Sequence, residues 1–253
     1  MSGPVPAAAT AAPGPVPGVR RVAAVSPHLD DAAFSAGGYL AGLAAAGVDV
    51  CVVTVFTASV PHPRGFALAC QLDKGLDADV DYLALRRAED VAATAALGVR
   101  FRHLPLREAP HRGYESAPAL FGPVADADDA GPAVVADAVA AAVAEEFPTG
   151  VDLVLGPQAL GGHVDHRHVR DALPGVAGRV DAVWSAWADT PYLFRPGADA
   201  PAGTPRAPSP AELAAKVAAC AAYATQLGFQ FSGVQAMADA VRGTPEFLTA
   251  ARA

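Results

Sequence analysis

The sequence predicts an α/β fold: a Rossmann-like, mostly parallel sheet with helices on both faces, in a single domain. Three observations predict it. Short apolar runs alternate along the chain with helix-length segments, the pattern of strand–crossover–strand units. The run from Val50 to Phe56 (VCVVTVF) is apolar or β-branched at every position, as a parallel strand covered on both faces requires. No internal repeat or second compositional block divides the 253 residues, of which 52% are hydrophobic, so one core can fill this length.

The elements follow in order. Residues 1–18 are rich in Ala, Pro and Gly and read as a flexible tail, leaving residues 19–253 as the domain. Val22 to Val25 is a buried strand that ends at Pro27. Ala33 to Ala46 has helical composition, and Gly47 stops it. After the Val50–Phe56 strand comes a long loop over residues 57–80. A helix is expected from Tyr82 to Leu97, a strand from Val99 to Leu106, a second long loop over residues 107–131, and a helix from Ala133 to Glu146. Leu153 to Leu155 is a strand closed by Gly156-Pro157. A short helix is expected over His166–Leu173 and a strand over Val180–Trp187. Tyr192 to Pro210 reads as loop, Glu212 to Leu227 as one helix, and Val234 to Val241 as a weaker one.

Composition excludes several classes. The formal charge is −8, with no basic stripe to follow a phosphate backbone, so no nucleic-acid partner is expected. No stretch of about 18 apolar residues offers a membrane span. The first 18 residues lack the charged start and continuous apolar stretch of a secretory signal, so a cytoplasmic protein is expected. Cys51, Cys70 and Cys220 are odd in number and widely spaced. They read as small hydrophobic side chains and cannot build a zinc ribbon.

The chemistry lies in two clusters, each just past a predicted strand: Ser26-Pro27-His28-Leu29-Asp30-Asp31 and Gly161-Gly162-His163-Val164-Asp165-His166. In open α/β sheets ligands bind beyond the carboxyl ends of strands. Three His and three Asp gathered there would be costly to bury unless paired or bound to a cation. Imidazole and carboxylate suit zinc, and a catalytic zinc takes three protein ligands and keeps one open position. His28 and Asp31, three apart, can face the same way, with His166 as the third ligand. Asp30, beside a ligand but directed elsewhere, is placed to accept a proton from water. His163 would stand across the metal to stabilise an oxyanion or protonate the leaving amine, and Asp165 would orient one of the imidazoles.

These clusters resemble those of the LmbE-like (PIG-L) zinc-dependent N-deacetylases, whose motifs read Pro-His-Pro-Asp-Asp-Glu and His-x-Asp-His. The resemblance implies the same assignments: His28, Asp31 and His166 on zinc (or another divalent metal), Asp30 as general base, and His163 assisting the tetrahedral intermediate. It extends to Val52–Thr57, to Arg86-Arg87-Ala88-Glu89 with Leu97-Gly98-Val99, to Asp189-Thr190-Pro191-Tyr192, and to Lys216, Tyr223 and Gln226, covering about residues 21–230. Leu29 and Ala32 depart from the first motif. Gly161 stands where members acting on a glucosamine-inositol substrate carry Tyr.

The expected activity is removal of an N-acetyl or other N-acyl group from a small polar metabolite, such as an aminosugar or glycoside derivative, in secondary metabolism. Hydrolysis of a thiol-conjugate amide is the alternative. A nucleotide-binding module is the remote one, because the first strand is followed by carboxylates where a Gly-x-Gly-x-x-Gly turn would belong. Arg86, His62 and His111 are candidates for substrate contact, Arg86 through its fork of donors and the two histidines because their loops should border the pocket. His103 reads as structural and His168 as a helix-surface residue.

Overall fold

The computed structural model describes residues 18–195, 197 and 199–253. The expected tail therefore lies outside the described residues except for Gly18. The elements are β1 (Arg21–Ser26), α1 (Asp31–Ala45), β2 (Asp49–Thr54), α2 (Gly65–Asp73), α3 (Tyr82–Leu97), β3 (Arg100–His103), α4 (Pro132–Glu146), β4 (Leu153–Pro157), α5 (Val164–Val180), β5 (Val183–Trp187), β6 (Thr204–Arg206), α6 (Pro210–Ala221), α7 (Ala224–Phe231), α8 (Val234–Gly243) and β7 (Glu246–Leu248).

The strands form one sheet in the order β3-β2-β1-β4-β5-β7-β6. Strands β1 to β5 pair in parallel, whereas β7 runs antiparallel to both β5 and β6. Side-chain alternation sorts the core onto two faces. Ala23, Val25, Cys51 and Val53 pack against Val135 and Val139 of α4 and Val169 and Leu173 of α5. Val22, Ala24, Val50 and Val52 pack on the other face against Ala36, Leu40 and Leu43 of α1. Both faces are covered, which is why β2 is apolar throughout its interior, Val50 to Val53.

Four features differ from the sequence expectation. The segment 57–80 holds α2, a helix framed by Pro61, Pro63 and Gly75 that read as loop punctuation; only Ala67 and Gln71 of it are buried, so its apolar stripe is thin. Helix α5 runs on through Pro174, which sits on its exposed face where water can serve the freed carbonyl. The expected Glu212–Leu227 helix breaks at Tyr223, whose buried hydroxyl donates to Asp90 Oδ1 at 2.7 Å. Strands β6 and β7, three residues each, are too short to show a period.

Topology fixes where a site can form. The chain winds outward from β1 through β2 to β3, then crosses back to place β4 on the other side of β1. The crevice at that reversal opens beyond Ser26 and Pro157, the carboxyl ends of β1 and β4. Both His/Asp clusters follow those two strands.

Candidate metal centre and active site

A tight turn delivers the first cluster. Ser26 Oγ donates to the His28 carbonyl at 2.7 Å and accepts from the Ala32 amide at 3.1 Å, so the chain enters α1 with Asp30 and Asp31 at its first turn. Buried carboxylates are favoured there by the helix dipole. The second cluster arrives through a short 3₁₀ turn, Leu160–Gly162, and opens α5.

His28, Asp31 and His166 converge. Asp31 Oδ2 lies 3.2 Å from His28 Nδ1 and 3.2 Å from His166 Nε2, and it also accepts the His28 amide at 2.8 Å. The far nitrogen of each ring is held by another carboxylate: His28 Nε2 by Asp165 Oδ2 at 2.8 Å, His166 Nδ1 by Asp189 Oδ1 at 2.7 Å. This is how metal-binding imidazoles are oriented. His166 Nε2 is fully buried and has no hydrogen-bond partner in proper alignment. An orphaned ring nitrogen aimed at a carboxylate already facing a second imidazole fits a divalent cation, and the three donor atoms lie within 4.8 Å of one another. His28, His163 and Asp165 satisfy the same spacing. In that set, however, Asp165 is already engaged by His28, by Arg112 Nη2 at 2.6 Å and by the Ala109 amide at 3.1 Å. The first set is the better metal site.

The charges agree with that assignment. Burial alone would lower the His166 pKa, but the carboxylates of Asp31 and Asp189 more than offset it and raise it to about 9. His28 is likewise raised by Asp165 and Asp31 against burial. Asp31 is held well below the usual carboxylate range by the two imidazoles, although burial opposes this. The cluster attracts positive charge, which a metal ion would supply in place of protons.

Asp30 faces the same cavity but belongs to a different network. Its Oδ2 accepts from Gln230 Nε2 at 3.1 Å and lies 3.4 Å from Arg86 Nη2. Burial pushes this carboxyl up to about 7 against the pull of Arg86. His163 has its Nδ1 accepting the Asp165 amide at 3.2 Å. That bond assigns the ring proton to Nε2, and burial, pushing the pKa down to about 3, keeps the ring neutral.

The remaining sequence candidates fall differently. Arg86 lines the cavity, yet its donors are committed to Glu108 Oε1 at 2.5 Å, Leu29 O at 3.2 Å and Asp30; it anchors carboxylates at the site. His111 lines a smaller neighbouring recess with Glu108 and Pro110. His62 is exposed and does not line the main cavity. His168, expected on a helix surface, is buried and bonds Asp128 Oδ2 at 2.8 Å; the correction follows from the 107–131 loop, which folds over α5. His103 bonds Asp90 at 2.7 Å. Sequence reasoning attached no role to Asp189, Gln230, Glu108 or Tyr192. Asp189 and Tyr192 stood in the Asp-Thr-Pro-Tyr segment, the one signal available.

The cavity above these residues has a volume of about 610 Å³. Beyond the His/Asp cluster its walls include Phe66, Phe121, Tyr192 and Phe229, a polar floor with aromatic sides. Where a dinucleotide's phosphates would lie, the β1–α1 turn presents Asp30 and Asp31.

A model of the PIG-L family, GlcNAc-PI de-N-acetylase, matches residues 23–176. The chain is 36% identical over 175 residues to a 2'-N-acetylparomamine deacetylase of Streptomyces fradiae, covering 68% of this chain and 57% of the relative. The match therefore spans little more than half of that relative's length. Among solved structures, the zinc-inhibited form of a teicoplanin deacetylase is 27% identical with a TM-score of 0.74, covering 90% of this chain and 96% of that one. The deacetylase of the A40926 pseudoaglycone is 28% identical with a TM-score of 0.75, covering 92% and 97%.

Proposed function

The chain belongs to the GlcNAc-PI de-N-acetylase (PIG-L) family, and from that premise we propose that it is a zinc-dependent amide hydrolase removing an N-acetyl group from an aminosugar or glycoside derivative in secondary metabolism. The observation that carries the reading is the convergence of His28 Nδ1 and His166 Nε2 on Asp31 Oδ2, with Asp30 beside them on a separate hydrogen-bond network. The relatives named as deacetylases of 2'-N-acetylparomamine, teicoplanin and the A40926 pseudoaglycone support the substrate class.

His28, Asp31 and His166 would hold the zinc, which supplies Lewis acidity that polarises the acyl carbonyl and acidifies a neighbouring water. Asp30 accepts the proton that this water loses as it attacks the carbonyl carbon. Gln230 and Arg86 engage Oδ2, leaving Oδ1 for that proton. His163 donates its Nε2–H to the carbonyl oxygen as negative charge develops there. Collapse breaks the C–N bond, and the proton held by Asp30 passes to the departing nitrogen. The products are the free amine and acetic acid, which gives up its remaining proton to water to become acetate. Asp165 and Asp189 keep His28 and His166 turned toward the ion.

The test is a panel of N-acetylated aminosugars, aminoglycosides and thiol conjugates with zinc present, following amine and acetate together. Binding of about one zinc per chain with release from an aminosugar supports the proposal. Zinc-loaded protein that cleaves only the thiol conjugates, or nothing, overturns it.

A further inference from the structure

The short 3₁₀ turn Tyr192–Phe194, which follows β5, puts a phenol into the wall of the catalytic cavity. The Tyr192 ring lies edge-on to His166, centroids 5.0 Å apart at 75°, and 6.5 Å from His163. The same segment carries Asp189, which bonds His166 and also accepts the Leu160 amide at 3.0 Å. The turn is thus tied to the second His/Asp cluster.

Gly161 makes room for the ring. A Cβ there would stand 2.6 Å from Tyr192 Cδ1 and 3.1 Å from its Cγ, so a side chain at 161 and this tyrosine ring exclude each other. Gly161 also has φ of +77°, a conformation glycine adopts without strain. The Arg195 guanidinium covers the ring at 4.4 Å, and Phe121 meets it edge-on at 6.2 Å. The ring is held from several sides. Its hydroxyl makes no hydrogen bond with protein among the described residues. A rigid, uncommitted donor beside the imidazoles is what stabilisation of a developing oxyanion requires, because nothing must reorganise at the moment of reaction.

Resting on the amide-hydrolase reading above, we infer that Tyr192 is a further catalytic residue: its O–H donates a hydrogen bond to the acyl carbonyl oxygen alongside His163 Nε2–H. No covalent bond to the phenol forms or breaks, and the proton stays on the tyrosine oxygen. Gly161 is the positioning residue that admits the ring.

Tyr192→Phe keeps the ring and removes only the donor. With an N-acetylated aminosugar that the wild type cleaves, kcat is expected to fall about 100-fold or more. KM should stay within about threefold, and zinc content and Tm should match the wild type. A variant with kcat within threefold of the wild type overturns the inference while leaving the hydrolase reading intact. Loss of activity that tracks lost zinc or a lowered Tm also overturns it, because the hydroxyl would then be structural. A zinc-loaded wild type that cleaves no amide removes the hydrolase reading and this inference with it.

Discussion

Asp189 Oδ1 lies 2.7 Å from His166 Nδ1, and both side chains are almost completely shielded from water. That bond holds the ring so that its bare Nε2 faces Asp31. Asp189 is the hydrogen-bond partner that Nδ1 has among the described residues. Asp189→Ala is expected to weaken zinc binding by about 10–100-fold, measured by competition with a chromogenic chelator. Unchanged affinity would show that packing alone orients His166.

The 107–131 loop is closed by a buried polar knot. Asp128 accepts from Arg112 Nε at 2.8 Å, from the Tyr114 hydroxyl at 2.7 Å, and lies 2.8 Å from His168 Nε2. Asp128 and Arg112 side chains are fully buried. Burial by itself raises the Asp128 pKa, but Arg112, Tyr114 and His168 together pull it well below the ordinary value. A carboxylate whose folded pKa is depressed contributes stability that is complete above its unfolded pKa of about 4 and fades as pH falls below that. The wild type should therefore lose Tm steeply below about pH 4. Asp128→Asn should cost about 1–3 kcal/mol at pH 7, where it removes one of the two carboxylates paired with the buried Arg112 guanidinium, and much less at pH 3. Thermal unfolding across that range decides; parallel Tm curves for the two proteins would remove Asp128 from the acid response.

Glu246, on the last strand, is the keystone of another buried network. Its carboxylate accepts the Gly38 and Tyr39 amides at 2.8 Å each, pairs with Lys216 Nζ at 2.8 Å, and reaches Arg206 Nη1 at 3.3 Å. It ties α1, α6, β6 and β7 together beneath the site. Glu246→Ala leaves Lys216 as a buried cation without a carboxylate partner among the described residues, while Arg206 keeps Glu212, and is expected to cost about 3–5 kcal/mol by urea unfolding. A cost below about 1 kcal/mol, the ordinary worth of an exposed pair, would mean that water reaches this network.

Much of this architecture was legible in the chain. The strands β1, β2 and β4 each hold an uninterrupted apolar run, and a run covered on both faces needs no partner to be recognised. The clusters were legible because His28-Leu29-Asp30-Asp31 and His163-Val164-Asp165-His166 are local patterns sitting at strand ends. What the sequence hid is non-local. Gln230 reaches Asp30 across 200 positions, and Asp189 reaches His166 only once β5 lies beside β4. Three-residue strands such as β7 exist through pairing with neighbours, so no periodicity announces them. Arg86 drew attention as a substrate anchor from its residue type; its engagement by Glu108 and Asp30 depends on α3 packing near the turn that follows β1.

Asp30 is the residue on which the proposed chemistry turns, and its surroundings separate two effects. Oδ2 is engaged by Gln230 and Arg86, whereas Asp31, the adjacent residue, faces the imidazoles. Asp30→Asn keeps the shape and the donor contacts nearby but cannot accept a proton. Zinc content should stay near one per chain while kcat falls by about 10²–10⁴. Gln230→Leu removes only the contact to Oδ2 and is expected to lower kcat by about tenfold, on the order of 1.4 kcal/mol, with KM and zinc content unchanged. Kinetics of the two variants on one substrate, with metal analysis of the same samples, distinguish the roles. Asp30→Asn turning over at wild-type rate would move the general base elsewhere. Zinc lost from that variant would instead make Asp30 part of the metal site, and the division between the two carboxylates would fail.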